Sequence, residues 1–110
     1  MEFKEFSKLV IEHFGRKLTS YYLNMDTESV HGILYESFEV EFSIGDRYGQ
    51  FSAAIWLGAS IQGLSRVLGE ELSLNSDAES IKQSLGAIDN YCRLRLPDKF
   101  LEEFDKLMNT

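Results

Sequence analysis

An α+β fold, helices packed on an antiparallel sheet, is what this sequence predicts, and three observations predict it. First, Phe38, Val40, Phe42 and Ile44 alternate with Glu39, Glu41 and Ser43, and a side-chain period of two puts the four apolar groups on one face and both carboxylates on the other. Second, Gln50–Leu57 repeats the alternation after Gly45, Asp46, Arg47, Tyr48 and Gly49, a loop of the length that joins hairpin strands, with glycines at either end free to take positive φ. Third, the apolar spacing on both sides of this hairpin changes to three and four residues, which is helical. Strands grouped in mid-chain, without alternating crossovers, indicate an antiparallel sheet built around a central hairpin, about 38–44 and 50–57, with an N-terminal helix and C-terminal helices packed on it. A chain of 110 residues makes one domain, 1–110, with a single core.

Taken in order, Phe3, Phe6, Val10, His13 and Phe14 recur at helical steps with Glu2, Lys4, Glu5, Lys8 and Glu12 between them, an amphipathic helix that Gly15 is placed to end. Thr19–Leu23 and Val30–Tyr35 carry the tyrosines and β-branched residues of short strands; alternatively Asp26 and Thr27 cap a short helix from Glu28. In the second hairpin strand Phe51, Ala53, Ile55 and Leu57 share one side, while Ala54 and Trp56 on the other imply cover on both faces and a place near the centre of the sheet. Ser60 is placed to cap a helix with Ile61, Leu64, Val67 and Leu68 inward and Gly69 at its end; Gly63 within it costs about 1 kcal/mol relative to alanine. Ser76 and Glu79 have capping-box spacing, Asp77 suits the positive end of the helix dipole, and Ile81, Leu85, Ile88 and Cys92 form a buried stripe, with Arg93 and Arg95 near the negative end. Pro97 opens a last helix with Phe100, Leu101, Phe104, Leu107 and Met108 as its apolar face.

The formal net charge is −7, and its distribution is uneven. Asp26, Glu28, Glu36, Glu39, Glu41 and Asp46 fall within Met25–Asp46 with no lysine or arginine among them. Such a tract is either solvated surface or a docking surface for a basic protein, and its field disfavours nucleic acid, which is held by Lys and Arg on phosphates. No run approaches the roughly 20 apolar residues of a membrane helix, and the first residues lack the basic start and apolar core of a secretory signal. The expectation is a soluble chain. Cys92 is the sole cysteine, which excludes an internal disulfide and a cysteine metal site and fits a reducing, cytoplasmic setting.

No phosphate loop, dinucleotide fingerprint, zinc-protease motif or cysteine pair is present, so no cofactor, metal site or catalytic residue is expected. His13 lies at the edge of the first helix's stripe. His31 lies in the acidic tract, where it could pair with Glu28 or Glu36 as general acid and base. Glu39 and Glu41 share a face, as a carboxylate pair would, but two glutamates on a hairpin are ordinarily its wet side. Tyr21, Tyr22, Tyr35, Tyr48 and Trp56 would be routine in a core, and on a surface beside carboxylates would be interface anchors.

With its amphipathic first helix, its central hairpin turning at Gly45, Asp46 and Gly49, its helical last third and its acidity, the chain resembles the small acidic immunity proteins of bacterial contact-dependent inhibition and related polymorphic toxin systems. The resemblance implies a monomeric stoichiometric inhibitor, not an enzyme, that binds a cognate toxin domain, often a nuclease, at or near its active site. Because a nuclease site is basic, Asp26, Glu28, Glu36, Glu39, Glu41, Asp46 and Tyr48 are the residues expected to face such a partner. The alternative is a type III secretion chaperone, also small, acidic and α+β, which would hold an effector segment as a dimer through the helix of Ile61–Leu68. An enzyme would require His31 and a carboxylate to converge in a pocket.

Overall fold

The computed structural model describes residues 1–44, 51–57, 60–63 and 77–108. Helix α1, Phe3–Phe14, buries Phe3, Phe6, Val10 and Phe14, the apolar stripe its spacing predicts. It stops at Gly15, whose φ of 56° suits a residue without a side chain, and one 3₁₀ turn, Gly15–Lys17, leads into the sheet.

The sheet is a five-stranded antiparallel meander in which each strand lies beside the one before it: β1 (Leu18–Asn24), β2 (Ser29–Leu34), β3 (Phe38–Ser43), β4 (Ser52–Leu57) and β5 (Ser60–Gly63). The two short strands expected before the hairpin are present, and no helix starts at Glu28. Instead the Asn24 side chain accepts the N–H groups of Asp26 and Thr27 at 3.0 and 3.2 Å, which closes the β1–β2 turn as asparagine often does. The hairpin's inward face is as predicted: Val40 pairs with Ile55 and Phe42 with Ala53, and Val40, Phe42, Ile44, Phe51 and Ile55 are buried.

Two helices close the core over that face. In α2, Ala78–Arg95, the stripe Ile81, Leu85, Ile88 and Cys92 is fully buried. Phe14 stacks on Phe42 at 5.6 Å and Phe6 meets Phe51 edge-on at 6.1 Å, so α1 lies against the same face. The last helix, α3, Asp98–Met108, begins just after Pro97, whose carbonyl accepts the Leu101 N–H at 3.1 Å. It docks through Phe104, 5.1 Å from the Tyr35 ring.

Four expectations are corrected. Ser60 caps no helix: Ser60–Gly63 is β5, paired with β4 from Leu57↔Ser60 to Ala54↔Gly63. Pairing there satisfies backbone groups that the edge of β4 would leave open, and Gly63 is a poor helix former. The central strand is β3, not β4, and Ala54 and Trp56 are half-buried on a face that no described helix covers. The N-cap of α2 is Asp77, whose Oδ2 accepts the Ser80 N–H at 3.3 Å. Leu107, assigned to the apolar face of α3, is exposed. The loop Gly45–Gly49, Ser76, and Leu64, Val67, Leu68 and Gly69 lie outside the described residues.

Candidate functional site

The described helices occupy one side of the sheet, so the side chains that alternate away from them form an outer face. Cross-strand register assembles it: Tyr22 of β1 opposite His31 of β2, His31 opposite Glu41 of β3, Ile33 opposite Glu39, and Glu41 opposite Ala54 of β4. Directly opposed residues project to the same side. Trp56 follows Ala54 by two and shares its face. None of the five strands contains a lysine or arginine, and their only charged residues are Glu39 and Glu41.

His31 lies near the middle of this face. Its ring is stacked on Tyr22, with centroids 4.7 Å apart and planes 3° from parallel. Its Nε2 is 2.9 Å from the Ser29 hydroxyl and 3.8 Å from Glu41 Oε1. Ser29 in turn shares a 2.6 Å hydrogen bond with Thr27. The carboxylate partner is therefore Glu41, across the strand pair, and not Glu28 or Glu36. Hydroxyl and carboxylate approach the same ring nitrogen, whereas a nucleophile relay needs the acid on the far nitrogen. Ser29 is also fully buried, out of reach of a substrate. The cluster orients the imidazole and holds Tyr22 and Glu41 in place.

Beside it a concavity of about 210 Å³ is lined by Ser20, Tyr22, His31, Ile33, Glu39 and Trp56, with Gly32 and Val40 beneath. A side chain at Gly32 would displace its neighbours, because a Cβ there would lie 2.6 Å from Leu18 Cδ1 and 3.1 Å from Tyr21 Cβ. Opposite Gly32 lies a bulge in which Ser20, at φ 50°, and Tyr21 fall between the Thr19↔Ile33 and Tyr22↔His31 pairs. Tyr21, Tyr22, Leu23 and Met25 are exposed along the same edge.

The acidic residues singled out from the sequence do not converge on one patch. Glu39 and Glu41 are together on the outer face. Asp26 and Glu28 are exposed on the β1–β2 turn, and Glu36 is exposed on the β2–β3 turn at the opposite end, about 20 Å away at the rise of a strand. Asp46 and Tyr48 lie outside the described residues.

Two other polar features lie away from this face. Between α1 and α2 a groove of about 400 Å³ runs along Leu9, His13 and Ala78, edged by Glu5, Glu12, Lys8 and Lys82, so its charges balance. Where β2 turns into β3, the buried Tyr35 donates its hydroxyl to Asp89. Asp89 also pairs with Lys17 at 3.3 Å, and Arg93 reaches the Tyr35 oxygen at 3.4 Å and Asp105 at 3.0 Å. Burial first, then the bond to Asp89, raises the Tyr35 pKa, and the Arg93 guanidinium lowers that of Asp105. This network ties α2 and α3 to the end of the sheet. Burial pushes the Cys92 thiol up to about 12, the signature of a packing cysteine.

Among the described residues no group of three or more His, Cys, Asp or Glu is placed to hold a metal ion, and no helix is long and apolar enough to cross a membrane. The sequence left the tyrosines and Trp56 unplaced; the structure puts Tyr35 in the core, Tyr21 and Tyr22 at the surface and Trp56 half-buried on the outer face. No protein-family model, no curated protein and no solved structure matches the chain.

Proposed function

We propose that this protein is a binding inhibitor of the kind the immunity resemblance implies, and that it holds a basic toxin domain, such as a nuclease, against the outer face of its sheet. One observation carries the reading: a sheet face that no described helix covers presents Tyr22, Trp56, Ile33, Glu39 and Glu41 together, from described strands that contain no lysine or arginine. Half-exposed aromatic groups supply the desolvated contacts that dominate interface energy, and a field of one sign speeds encounter with a partner of the other. The chaperone alternative took a helix of Ile61–Leu68 as its candidate dimer seam, and the described part of that stretch, Ile61–Gly63, is strand.

The test is charge reversal. The double variant Glu39→Lys/Glu41→Lys keeps its fold, because neither carboxylate belongs to the core. A basic toxin domain identified by salt-dependent co-purification from the producing organism is then titrated against wild type and variant by calorimetry. Affinity falls by at least about 100-fold and its salt dependence weakens, as loss of two facing charges requires. Unchanged affinity in a folded variant would move the contact surface off this face.

A further inference from the structure

We propose that the concavity on the outer face is a receptor for one arginine side chain of the partner. The inference rests on reading this face as the contact surface for a basic protein, and deepens it by naming the group that anchors there. At about 210 Å³ the space is below the roughly 300–1,000 Å³ of small-molecule sites, and suits a single side chain. Its walls lie on the strands either side of the central pair, Tyr22 on β1 and Trp56 on β4, about 14 Å apart at ordinary strand spacing. The floor is backbone of the Gly32↔Val40 pair and the side chain of Ile33, against which the methylenes of an arginine can lie.

The polar chemistry of the lining selects the head group. Glu41, 3.8 Å from His31 Nε2, and Ser29, bonded to the same imidazole, both stand outside the lining, so its carboxylate is Glu39. Glu39 has no hydrogen bond or ion pair within the described residues. It stands one step beyond the Val40↔Ile55 pair, next to Trp56. A carboxylate next to Trp56 in the lining, with the Tyr22–His31 stack across the gap, matches a planar cation that donates in its own plane and offers its faces to aromatic rings. That is a guanidinium; an ammonium uses the carboxylate alone.

The test uses N-acetylarginine amide, N-acetyllysine amide and N-acetylcitrulline amide as probes, titrated into the intact protein and followed by ¹⁵N–¹H correlation spectra. The arginine probe shifts the Trp56 indole N–H and the Gly32, Ile33 and Glu39 amides saturably. The lysine probe binds at least about fivefold more weakly, and the citrulline probe, isosteric but neutral, does not saturate. Glu39→Gln, an exposed change that leaves the spectrum dispersed, weakens arginine binding about tenfold or more, and Glu36→Gln, at the far end of the sheet, leaves it unchanged. Shifts scattered over the surface, equal response to citrulline, or binding indifferent to Glu39→Gln each overturn the assignment. The outcome is separable from the toxin reading. Arginine that fails to bind, with charge reversal still abolishing capture of a basic domain, removes the receptor and keeps the face; a saturable arginine site with capture unaffected does the reverse.

Discussion

Removing one oxygen atom, in Tyr35→Phe, tests what holds the helical layer to the end of the sheet. The ring stays, still packed 5.1 Å from Phe104, so no cavity forms and the change reports on the hydroxyl. That hydroxyl donates to Asp89 and accepts from Arg93 at 3.4 Å. Arg93 keeps Asp105 and Asp89 keeps Lys17, so neither charge is stranded. A hydrogen bond to a charged group contributes about 1.5–3 kcal/mol. The Asp89 side chain is 20% accessible, so water replaces part of the loss and the lower end applies, about 1.5–2 kcal/mol. For a domain of this size that corresponds to about 6–8 °C in Tm. Urea unfolding followed by the fluorescence of Trp56, the sole tryptophan, measures it, in a cycle with Asp89→Ala. The cycle should show a coupling of about 1 kcal/mol or more between the two positions. Additivity within about 0.3–0.5 kcal/mol would refute the argument and leave the phenol–carboxylate contact without energetic weight.

Three further outcomes are expected. Glu36→Gly should raise stability by about 0.5–1 kcal/mol in the same assay, since Glu36 is exposed at φ 55° and relief of left-handed strain exceeds the entropy cost of glycine. Gly32→Ala should lower it by about 1–3 kcal/mol as Leu18 and Tyr21 are pushed off the strand; a neutral result would mean that the bulge yields freely. Stability should also decline in alkali. Both Cys92 and Tyr35 hold their protons more tightly when folded, so their contribution is complete below their unfolded values, about 8.5 and 10, and is lost as pH rises through the folded ones. The urea midpoint should fall from about pH 9 upward, Tyr35→Phe should flatten the part above pH 10, and a thiol reagent should modify Cys92 only in denaturant.

The hairpin and the buried faces of α1 and α2 were legible because each rests on a period sustained over several turns or alternations. Phe38 to Phe42 and Ile81 to Cys92 admit one reading each. Ser60–Gly63 did not, since four residues carry no period of their own, and Ile61 joined equally well to a helical series with Leu64 and Val67. What decided the matter was the open edge of β4, which is tertiary information. The same distinction runs through the candidate site. That Glu39 and Glu41 share a face follows from their spacing, but that Glu41 is the partner of His31 depends on the β2–β3 register. That register is set by a connection in which Tyr35 and Glu36 both adopt positive φ. Neither residue type signals such a turn, as Asn-Gly would; Tyr35 is held there by its burial and its bond to Asp89.

The bulge at Ser20 and Tyr21 has a consequence for how copies of this chain behave when crowded. β1 ends the sheet, has no charged side chain and carries exposed Tyr21, Tyr22 and Leu23, with Met25 just beyond, the composition on which another strand would dock and start a growing stack. An extra residue in left-handed conformation throws the outward N–H and C=O groups out of step with a regular partner. The bulge at Ser20 thus opposes the edge-to-edge pairing that the side chains of β1 would otherwise invite.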